Sequence, residues 1–379
     1  MLVLEQNHLN YRSRVNLGSY YTSAEFVDNA WNMLDRFIDK ETIIADTSCG
    51  YGNFLKNNNR MIGVDIDEIA ICKAKQRYKN VQFFTTNALK NVNRDVYGIG
   101  TKKLCIIGNP PYNDKTSIIR KHIKEQSFDI DKDIQTRDLG MSFLLSYQKL
   151  EADIICVLHP LSYLIKAANF KLLKKFSANY QLKQAKIISS NVFQDTSKSM
   201  AFPIIIALYE KHKNGMDYNY IQNFAFEVGS KSFKLNDFET IKNYLKKYPS
   251  KCQSPQKNDV LFWTMRDINA LKRNKTFIGK YNSNAIIVEK NNLDYYIYVD
   301  VFKHFSQHTP YYFGNCDVLI DNNLFKKYRK YFILECLSRN PNLRQYFAEF
   351  DFSKTDIIVK SRQKVQQYLQ ALLGVHYVN

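Results

Sequence analysis

A chain of 379 residues that is 45% hydrophobic can bury a core of its own, and its length predicts two or three domains. It carries 54 Lys and Arg against 36 Asp and Glu, a formal net charge of +18, which favours a polyanionic partner over an acidic protein or a neutral metabolite. Codon bias is an alternative source of part of this excess, because 40 of the basic residues are lysine.

The cysteines and the amino terminus bear on compartment. Seven cysteines are scattered without a C-x-x-C pair or neighbouring histidine clusters, which argues for reduced thiols and against a disulfide framework or a zinc site. The opening MLVLEQNHLNYRSR lacks the basic-then-apolar order of a signal peptide, and the longest apolar stretches are too short or interrupted to span a bilayer. We therefore expect a cytoplasmic protein with no metal and no membrane association.

Between residues 43 and 109, short apolar runs alternate with segments of helical spacing. Strands are predicted at 43–45, 61–64, 81–84 and 104–107, with a helix over 68–78. The runs 154–158 and 202–208 are continuously apolar, which predicts later strands of the same buried sheet. Strands that alternate with helices imply an α/β fold with a mostly parallel sheet.

The character of the sequence changes at residues 211–215, KHKNG, a polar and turn-forming linker. Residues 1–210 carry 28 basic and 21 acidic side chains, a net of +7, whereas residues 211–379 carry 26 and 15, a net of +11. We predict two domains, 1–214 and 215–379, of which the second is the more basic.

The most specific local pattern is Gly108-Asn109-Pro110-Pro111-Tyr112, directly after a predicted strand. The prolines fix φ and remove two backbone donors, so that the Pro110 carbonyl is presented rigidly, and Asn109 adds a side-chain acceptor. Two acceptors that hold both protons of an aromatic amine stabilise the positive charge that grows as its nitrogen attacks a methyl group. Tyr112 offers a face on which a planar base can stack. The alternative is a proline turn with a helix-capping asparagine.

The residues before this motif provide context. The stretch ADTSCGYGNF, residues 45–54, follows the first strand, and its glycines let a ligand approach the backbone closely. Asp65 lies 19 residues after Asp46, at the end of the second strand, where an acidic side chain in a Rossmann-like fold receives ribose hydroxyls. A glycine turn, an acid after strand two and NPPY after strand four are jointly specific.

On these motifs, residues 18–210 resemble the class I S-adenosylmethionine-dependent amino-methyltransferases, in particular the DNA adenine methyltransferases of the gamma arrangement. The resemblance implies a Rossmann-like, mostly parallel α/β sheet in a catalytic domain, residues 1–214, with S-adenosylmethionine as cofactor. It implies that residues 215–379 form a smaller, mixed α+β target-recognition domain that binds DNA.

The resemblance also assigns residues to roles. It places the cofactor at Thr22, Asp46, Ser48, Gly50, Gly52, Asp65, Ile66 and Asn87. It assigns catalysis to Asn109, Pro110 and Tyr112, and base stacking to Tyr112 and Phe193. Two residues depart from the family pattern: Ser23 follows Thr22 where proline is usual, and Asn87 stands where aspartate usually accepts the adenine amine of the cofactor.

The implied reaction is direct methyl transfer to the 6-amino group of an adenine that has rotated out of double-stranded DNA. A cognate restriction endonuclease is the implied functional partner, and we expect a monomer. Two alternatives remain open. One is an NPPY methyltransferase that acts on a protein glutamine or an RNA base; the other is a non-catalytic DNA-binding subunit.

Overall fold

The computed structural model describes residues 22–112, 129–193, 200–250, 255, 256, 258–350 and 355–379, and of residues 355–358 it describes the backbone alone. Residues 18–21 of the segment that resembles the family's upstream motif lie outside the described residues, as does Cys252. The described chain divides into two compact units, one that ends at Leu235 and one over Asn236–Asn379.

The first unit alternates strands and helices. In chain order its elements are α1 (Ala24–Leu34), β1 (Ile43–Asp46), β2 (Met61–Asp65), α2 (Glu68–Arg77), β3 (Gln82–Thr85), β4 (Leu104–Gly108), α3 (Leu139–Lys149), β5 (Ile154–Pro160), α4 (Ser162–Ile165), α5 (Ala167–Leu172), α6 (Lys174–Ser177), β6 (Tyr180–Ser189), β7 (Pro203–Lys211), α7 (Tyr218–Asn223), β8 (Phe226–Val228) and β9 (Lys231–Phe233).

The second unit has short strands and longer helices. Its elements are β10 (Glu239–Thr240), β11 (Leu261–Trp263), α8 (Ile268–Arg273), β12 (Phe277–Ile278), β13 (Ala285–Ile287), α9 (Leu293–His304), β14 (Leu319–Ile320), α10 (Asn322–Arg339) and α11 (Thr355–Leu373).

One sheet organises the first unit, with the strand order β3-β2-β1-β4-β5-β7-β6-β8-β9. Strands β1 to β5 pair in parallel, and β7 runs antiparallel between β5 and β6. The chain order reverses between β1 and β4, which is the switch point where open α/β sheets bind ligands at the carboxyl ends of their strands. The predicted α/β class with a mostly parallel sheet is confirmed.

The continuous apolar runs form the centre of this sheet. All of β4 is buried, as is β5 from Ile154 to His159. Helix α1 packs against β5 and β7, and the Cys156 thiol reaches the Ala30 carbonyl at 3.5 Å. A strand that is covered on both faces needs apolar residues at every position, which is why these runs predicted buried strands.

Strand β6 was missing from the sequence-based prediction, although it is the longest strand of the sheet. Its buried residues alternate with partly exposed ones, and a β-bulge between Leu182 and Gln184 shifts the alternation halfway. Because neither a continuous apolar run nor a regular alternation results, the periodicity carries little signal.

The first unit also extends beyond the predicted boundary at residue 214. Strand β8 pairs in parallel with β6 at Lys186 and Glu227, and β9 forms a hairpin with β8, so these strands complete the sheet. With the division at Leu235, residues 236–379 hold 22 basic and 13 acidic side chains, a net of +9, and residues 1–235 hold the same excess. The excess is therefore denser in the second unit but not larger.

The second unit is mixed α+β, with a three-stranded antiparallel sheet β12-β11-β13 and the pair β10-β14. Its core is aromatic. Tyr298 of α9 stacks on Phe332 of α10 with ring centroids 5.1 Å apart, and Tyr368 of α11 meets both rings edge-on. The Tyr298 hydroxyl donates to the Leu319 carbonyl at 2.6 Å, which satisfies the polar end of a fully buried ring.

Candidate functional site

Three strands deliver the predicted site residues to one edge of the sheet. Asp46 ends β1, Asp65 ends β2, and Asn109 follows β4. Because these strands are parallel, their carboxyl ends lie side by side. The sequence predicts that each of these residues ends or follows a strand. The pairing of β1 with both β2 and β4 brings the three residues together.

Asp46 and the end of β4 fit closely. Asp46 is 2% exposed, and its Oδ1 accepts a hydrogen bond from the Ser48 amide at 3.1 Å. A Cβ on Gly108 would lie 2.6 Å from that oxygen, and Gly108 has a φ of 153°. Glycine is thus required where β4 passes the carboxyl group. Gly108 was not among the predicted site residues, although its place before NPPY was a signal.

Burial raises the pKa of Asp46 to about 8, since the charged carboxylate is desolvated. The Ser48 amide partly offsets this by lowering the pKa, while Asp65 raises it further. Near neutral pH the carboxyl is therefore largely protonated, and a cation that binds beside it would favour the ionised form.

Asp65 anchors the glycine loop. Its Oδ2 accepts from the Gly50 amide at 2.7 Å and its Oδ1 from the Asp67 amide at 2.9 Å. Desolvation raises the pKa of Asp65, against the lowering effect of these amides. Each carboxylate oxygen can accept a second hydrogen bond, so acceptor sites for hydroxyl groups remain. The next residue, Ile66, is 52% exposed and gives an apolar surface beside them.

The glycine loop holds a buried hydroxyl that suits a polar ligand. The Ser48 Oγ has no hydrogen-bond partner within the part of the chain that the structure describes. Gly50 and Gly52 have φ values of 52° and 84°, so both need the left-handed region. At Gly52 a Cβ would lie 2.7 Å from the Tyr78 ring, whose hydroxyl donates to the Gly52 carbonyl at 2.8 Å. Gly52 thus serves helix packing as well as loop shape.

Asn87 has a structural role that sequence reasoning did not foresee. Its Oδ1 accepts from the Leu89 amide at 3.0 Å, and its Nδ2 donates to the Asp129 carbonyl at 2.6 Å. The Asn87 side chain thereby fixes the turn after β3. An amide oxygen has a second lone pair, through which it could still accept from a ligand amine.

The structure joins two residues that the sequence placed separately. The Asn109 Nδ2 donates to the Thr22 hydroxyl at 3.1 Å, and Thr22 is 2% exposed. This contact fixes the orientation of the Asn109 amide group. Its Nδ2 is directed to Thr22, and its Oδ1 is the atom of the amide that can accept a hydrogen bond. Thr22, predicted as a cofactor residue, is therefore also the partner that positions the predicted catalytic amide.

The first turn of helix α3 packs against Tyr112. A Cβ on Gly140 would lie 2.9 Å from the Tyr112 Cβ and 2.6 Å from the Tyr163 hydroxyl. Asp138 caps α3 by accepting from the Gly140 amide at 3.1 Å, and it also accepts from the Tyr163 hydroxyl. These contacts place the NPPY segment against the first turn of α3, and Gly140 and Tyr163 were not predicted as site residues.

Phe193 lies at the same edge of the sheet but apart from Tyr112. It follows β6, which is three strands from β4, or about 14 Å at the usual strand spacing. The Phe193 ring is 1% exposed and Tyr112 is 8% exposed. Stacking of a base between them would require both rings to become accessible.

The cysteines near the edge do not favour nucleophilic chemistry. Burial raises the pKa of both Cys49 and Cys105 well above the usual range, and the thiolate is the reactive form. His159 is fully buried, its Nε2 lies 2.7 Å from the Tyr209 hydroxyl, and burial lowers its pKa to about 4. It is a neutral core residue.

Across the described ranges, no three or more His, Cys, Asp or Glu side chains form a group that could hold a metal ion.

No helix among the described residues has the length and apolar character needed to cross a membrane.

No family model matches the chain, and neither does any curated protein. A candidate RNA methyltransferase from Pyrococcus horikoshii aligns over 55% of this chain and 92% of its own, with 13% identity and a TM-score of 0.37. The modification subunit of a candidate type I restriction enzyme from Vibrio vulnificus aligns over 62% of this chain and 57% of its own, with 14% identity and a TM-score of 0.39.

The methyltransferase subunit of a type I restriction-modification system from Streptococcus thermophilus aligns over 58% of this chain and 48% of its own, with 14% identity and a TM-score of 0.34. This chain thus aligns with about half the length of each of these two restriction-system subunits.

Proposed function

We propose that this protein is an S-adenosylmethionine-dependent methyltransferase that modifies the 6-amino group of adenine in double-stranded DNA. The observation that carries the proposal is the position of Asn109-Pro110-Pro111-Tyr112 at the switch point of the sheet, with the Asn109 amide oriented by Thr22. The carboxyl groups of Asp46 and Asp65 lie at the ends of the neighbouring strands, where a cofactor can bind beside the motif.

The residues at this edge fit the proposed cofactor. The buried Ser48 hydroxyl and the Asp46 carboxyl suit its charged methionine part, and the free acceptor positions of Asp65 suit its ribose hydroxyls. The exposed side chain of Ile66 offers an apolar face to its adenine ring, and Asn87 a second amide acceptor. S-adenosylmethionine supplies an electrophilic methyl group on a sulfonium.

The chain itself positions the amine. Asn109 Oδ1 and the Pro110 carbonyl would accept the two protons of the adenine amino group, which favours a pyramidal nitrogen and stabilises its growing positive charge. Tyr112 would stack on the base. A new N–C bond forms as the S–C bond breaks, and one amino proton is then lost to solvent, so no covalent intermediate with the enzyme is required.

We assign target recognition to the second unit, residues 236–379, and catalysis to the unit that ends at Leu235. The second unit carries a net charge of +9 on 144 residues, which suits phosphate contacts. A restriction endonuclease of the same DNA specificity is the functional partner that this activity implies, and we infer that the enzyme acts as a monomer.

The test uses the complete chain, labelled S-adenosylmethionine and duplex DNA of varied sequence. We expect 6-methyladenine at one sequence, which modified-base sequencing of DNA from expressing cells will identify. Label that enters protein glutamine or RNA, and never DNA, would overturn the proposal.

Asn109→Ala should reduce methyl transfer about 100- to 1,000-fold, as expected for loss of one donor or acceptor to the transition state, while cofactor binding persists. Asn80→Ala, an exposed asparagine after α2, is the matched control and should be as active as the original chain. Comparable rates for the two variants would mean that the site is misplaced.

A further inference from the structure

A basic cleft opens beside helix α3, in the same compact unit as the NPPY segment. It has a volume of about 630 Å³, and its lining includes Asp133, Thr136, Arg137, Leu172, Lys174 and Lys175. We propose that this cleft binds the phosphodiester backbone of the DNA strand that carries the target adenine. The proposal rests on the function proposed above and adds a substrate-binding surface to it.

The charge of the cleft favours an anion. Arg137, Lys174 and Lys175 are exposed, and within the described parts of the chain no acidic side chain forms an ion pair with them. The one acid of the lining, Asp133, forms a salt bridge at 3.0 Å with Lys149, which also pairs with Asp131 at 3.0 Å, and the lining itself holds three cations against this one acid. Lys175 Nζ donates to the Asp133 backbone carbonyl at 3.3 Å, and in all, three cationic side chains from two segments face one opening.

The cleft is connected to the catalytic motif by a fixed segment. The Thr136 amide donates to the Ser142 hydroxyl at 3.0 Å, and the Thr136 hydroxyl donates to the Asp138 carbonyl at 2.6 Å. Asp138 caps α3 at Gly140, which packs against Tyr112. Arg137 thus lies three residues from Gly140, a chain distance of at most about 10 Å.

The residues that line the cleft suit a phosphate backbone. Leu145 of α3 is one of these residues, and it lies five residues or about 7.5 Å of helix from Gly140. Four of the eight residues that line the cleft are charged, and three of these four are cationic. When a nucleotide rotates out of the duplex, its flanking phosphates remain on the strand and need contacts that hold them. Arg137, Lys174 and Lys175 would provide such contacts.

The experiment compares the complete chain with its Arg137→Gln/Lys174→Gln/Lys175→Gln variant in binding to target duplex DNA over a range of salt concentrations. Each lost phosphate contact lowers the slope of log affinity against log salt by about 0.9, so we expect the slope to fall by about 2 to 3 and affinity to fall at least about 10-fold. The charge-preserving Arg137→Lys/Lys174→Arg/Lys175→Arg variant should keep the slope, and Lys73→Gln/Lys75→Gln on α2 should change it little.

Methylphosphonates locate the contact. In the original chain, a neutral linkage within about three nucleotides of the target adenine should weaken binding, whereas the glutamine variant should be insensitive to it. Equal sensitivity of the two proteins, or an unchanged salt slope, would overturn the cleft proposal even if methylation of DNA is observed. If the salt slope falls in the glutamine variant but the original chain never methylates the DNA that it binds, the cleft proposal is supported and the proposed reaction is overturned. Cofactor affinity, measured separately, should be the same in all variants.

Discussion

The chemistry of the Asp46 carboxyl depends on the fold around it. Its side chain ends a buried strand, contacts the backbone amide of Ser48, and lies against Gly108. Desolvation there raises its pKa to about 8, whereas an aspartate in an unfolded chain titrates near about 3.9. The sequence predicts Asp46 as a cofactor residue, and its neighbours in space determine its protonation.

This pKa predicts a pH dependence of cofactor binding. A cationic ligand part prefers the ionised carboxylate, so apparent affinity for S-adenosylmethionine should rise with pH up to about 8 and then level off, with proton release on binding below that pH. Calorimetry in buffers of different ionisation enthalpy measures both quantities. In Asp46→Asn the rise should be absent; an identical pH profile in the variant would contradict the assignment.

The same shift affects stability with the opposite sign. The folded chain keeps a proton on Asp46 that the unfolded chain loses, so the contribution of Asp46 to the free energy of unfolding should be greatest below about pH 4 and should decline as pH rises to about 8. Denaturant unfolding of the original chain and Asp46→Asn across this range gives the difference.

At the scale of elements, helix α10 (Asn322–Arg339) combines two environments. Its first half exposes Asn323, Lys326, Lys327 and Lys330, which share one helix face at spacings of three and four residues. Its second half is buried and ends in an ion-pair network. The sequence showed an interleaving of lysines and aromatics here, but the separation into a solvent face and a core face follows from packing against α9 and α11.

The buried network gives a stability prediction. Glu335 and Asp300 are each 1% exposed; Arg339 donates to Glu335 at 2.5 Å and lies 3.5 Å from Asp300. Arg339→Met would remove the cation that contacts both buried carboxylates and leave Glu335 with Arg362 at 3.3 Å, and removal of one partner of a buried pair typically costs about 3 to 5 kcal/mol. We expect the free energy of unfolding from chemical denaturation to fall by that order.

The matched control lies on the same helix. Arg329 pairs with Asp294 at 2.5 Å, but the two side chains are 40% and 28% exposed, so water screens their attraction. Arg329→Met should therefore lower stability by only about 0 to 1 kcal/mol. If the two methionine variants lose similar free energies of unfolding, burial does not make the Arg339 ion pairs more stabilising than the exposed Arg329 pair.

At the scale of the whole molecule, the charge of +18 is shared equally between the two units. With the boundary predicted at residue 214, the second domain would hold the larger excess of positive charge. Because β8 and β9 belong to the sheet of the first unit, the boundary lies later and the excess is divided equally. DNA binding is therefore expected to draw on both units, on the α3 cleft in the first and on the lysine face of α10 in the second.

Neutralising the α10 face tests the second contribution. Lys326→Gln/Lys327→Gln/Lys330→Gln should weaken binding to all duplex sequences by a similar factor, because contacts to phosphate carry no sequence information. Affinity for target and non-target duplexes, measured at one salt concentration, gives the specificity ratio, which should remain constant. The matching triple arginine variant should bind normally. If binding is unaffected by the glutamines, α10 does not face DNA.

Local patterns alone determined much of this protein: the parallel strands, the glycine loop, the acid after β2 and the NPPY segment could all be predicted. Each depends on residues that are close in the chain, where periodicity and turn chemistry act directly. The contact of Thr22 with Asn109 across 87 residues, the need for glycine at 108 and 140, and strand β6 with its bulge could not be predicted in this way. These features were decided by the tertiary structure, because strand pairing and helix packing determine which distant side chains meet and how much water remains around them.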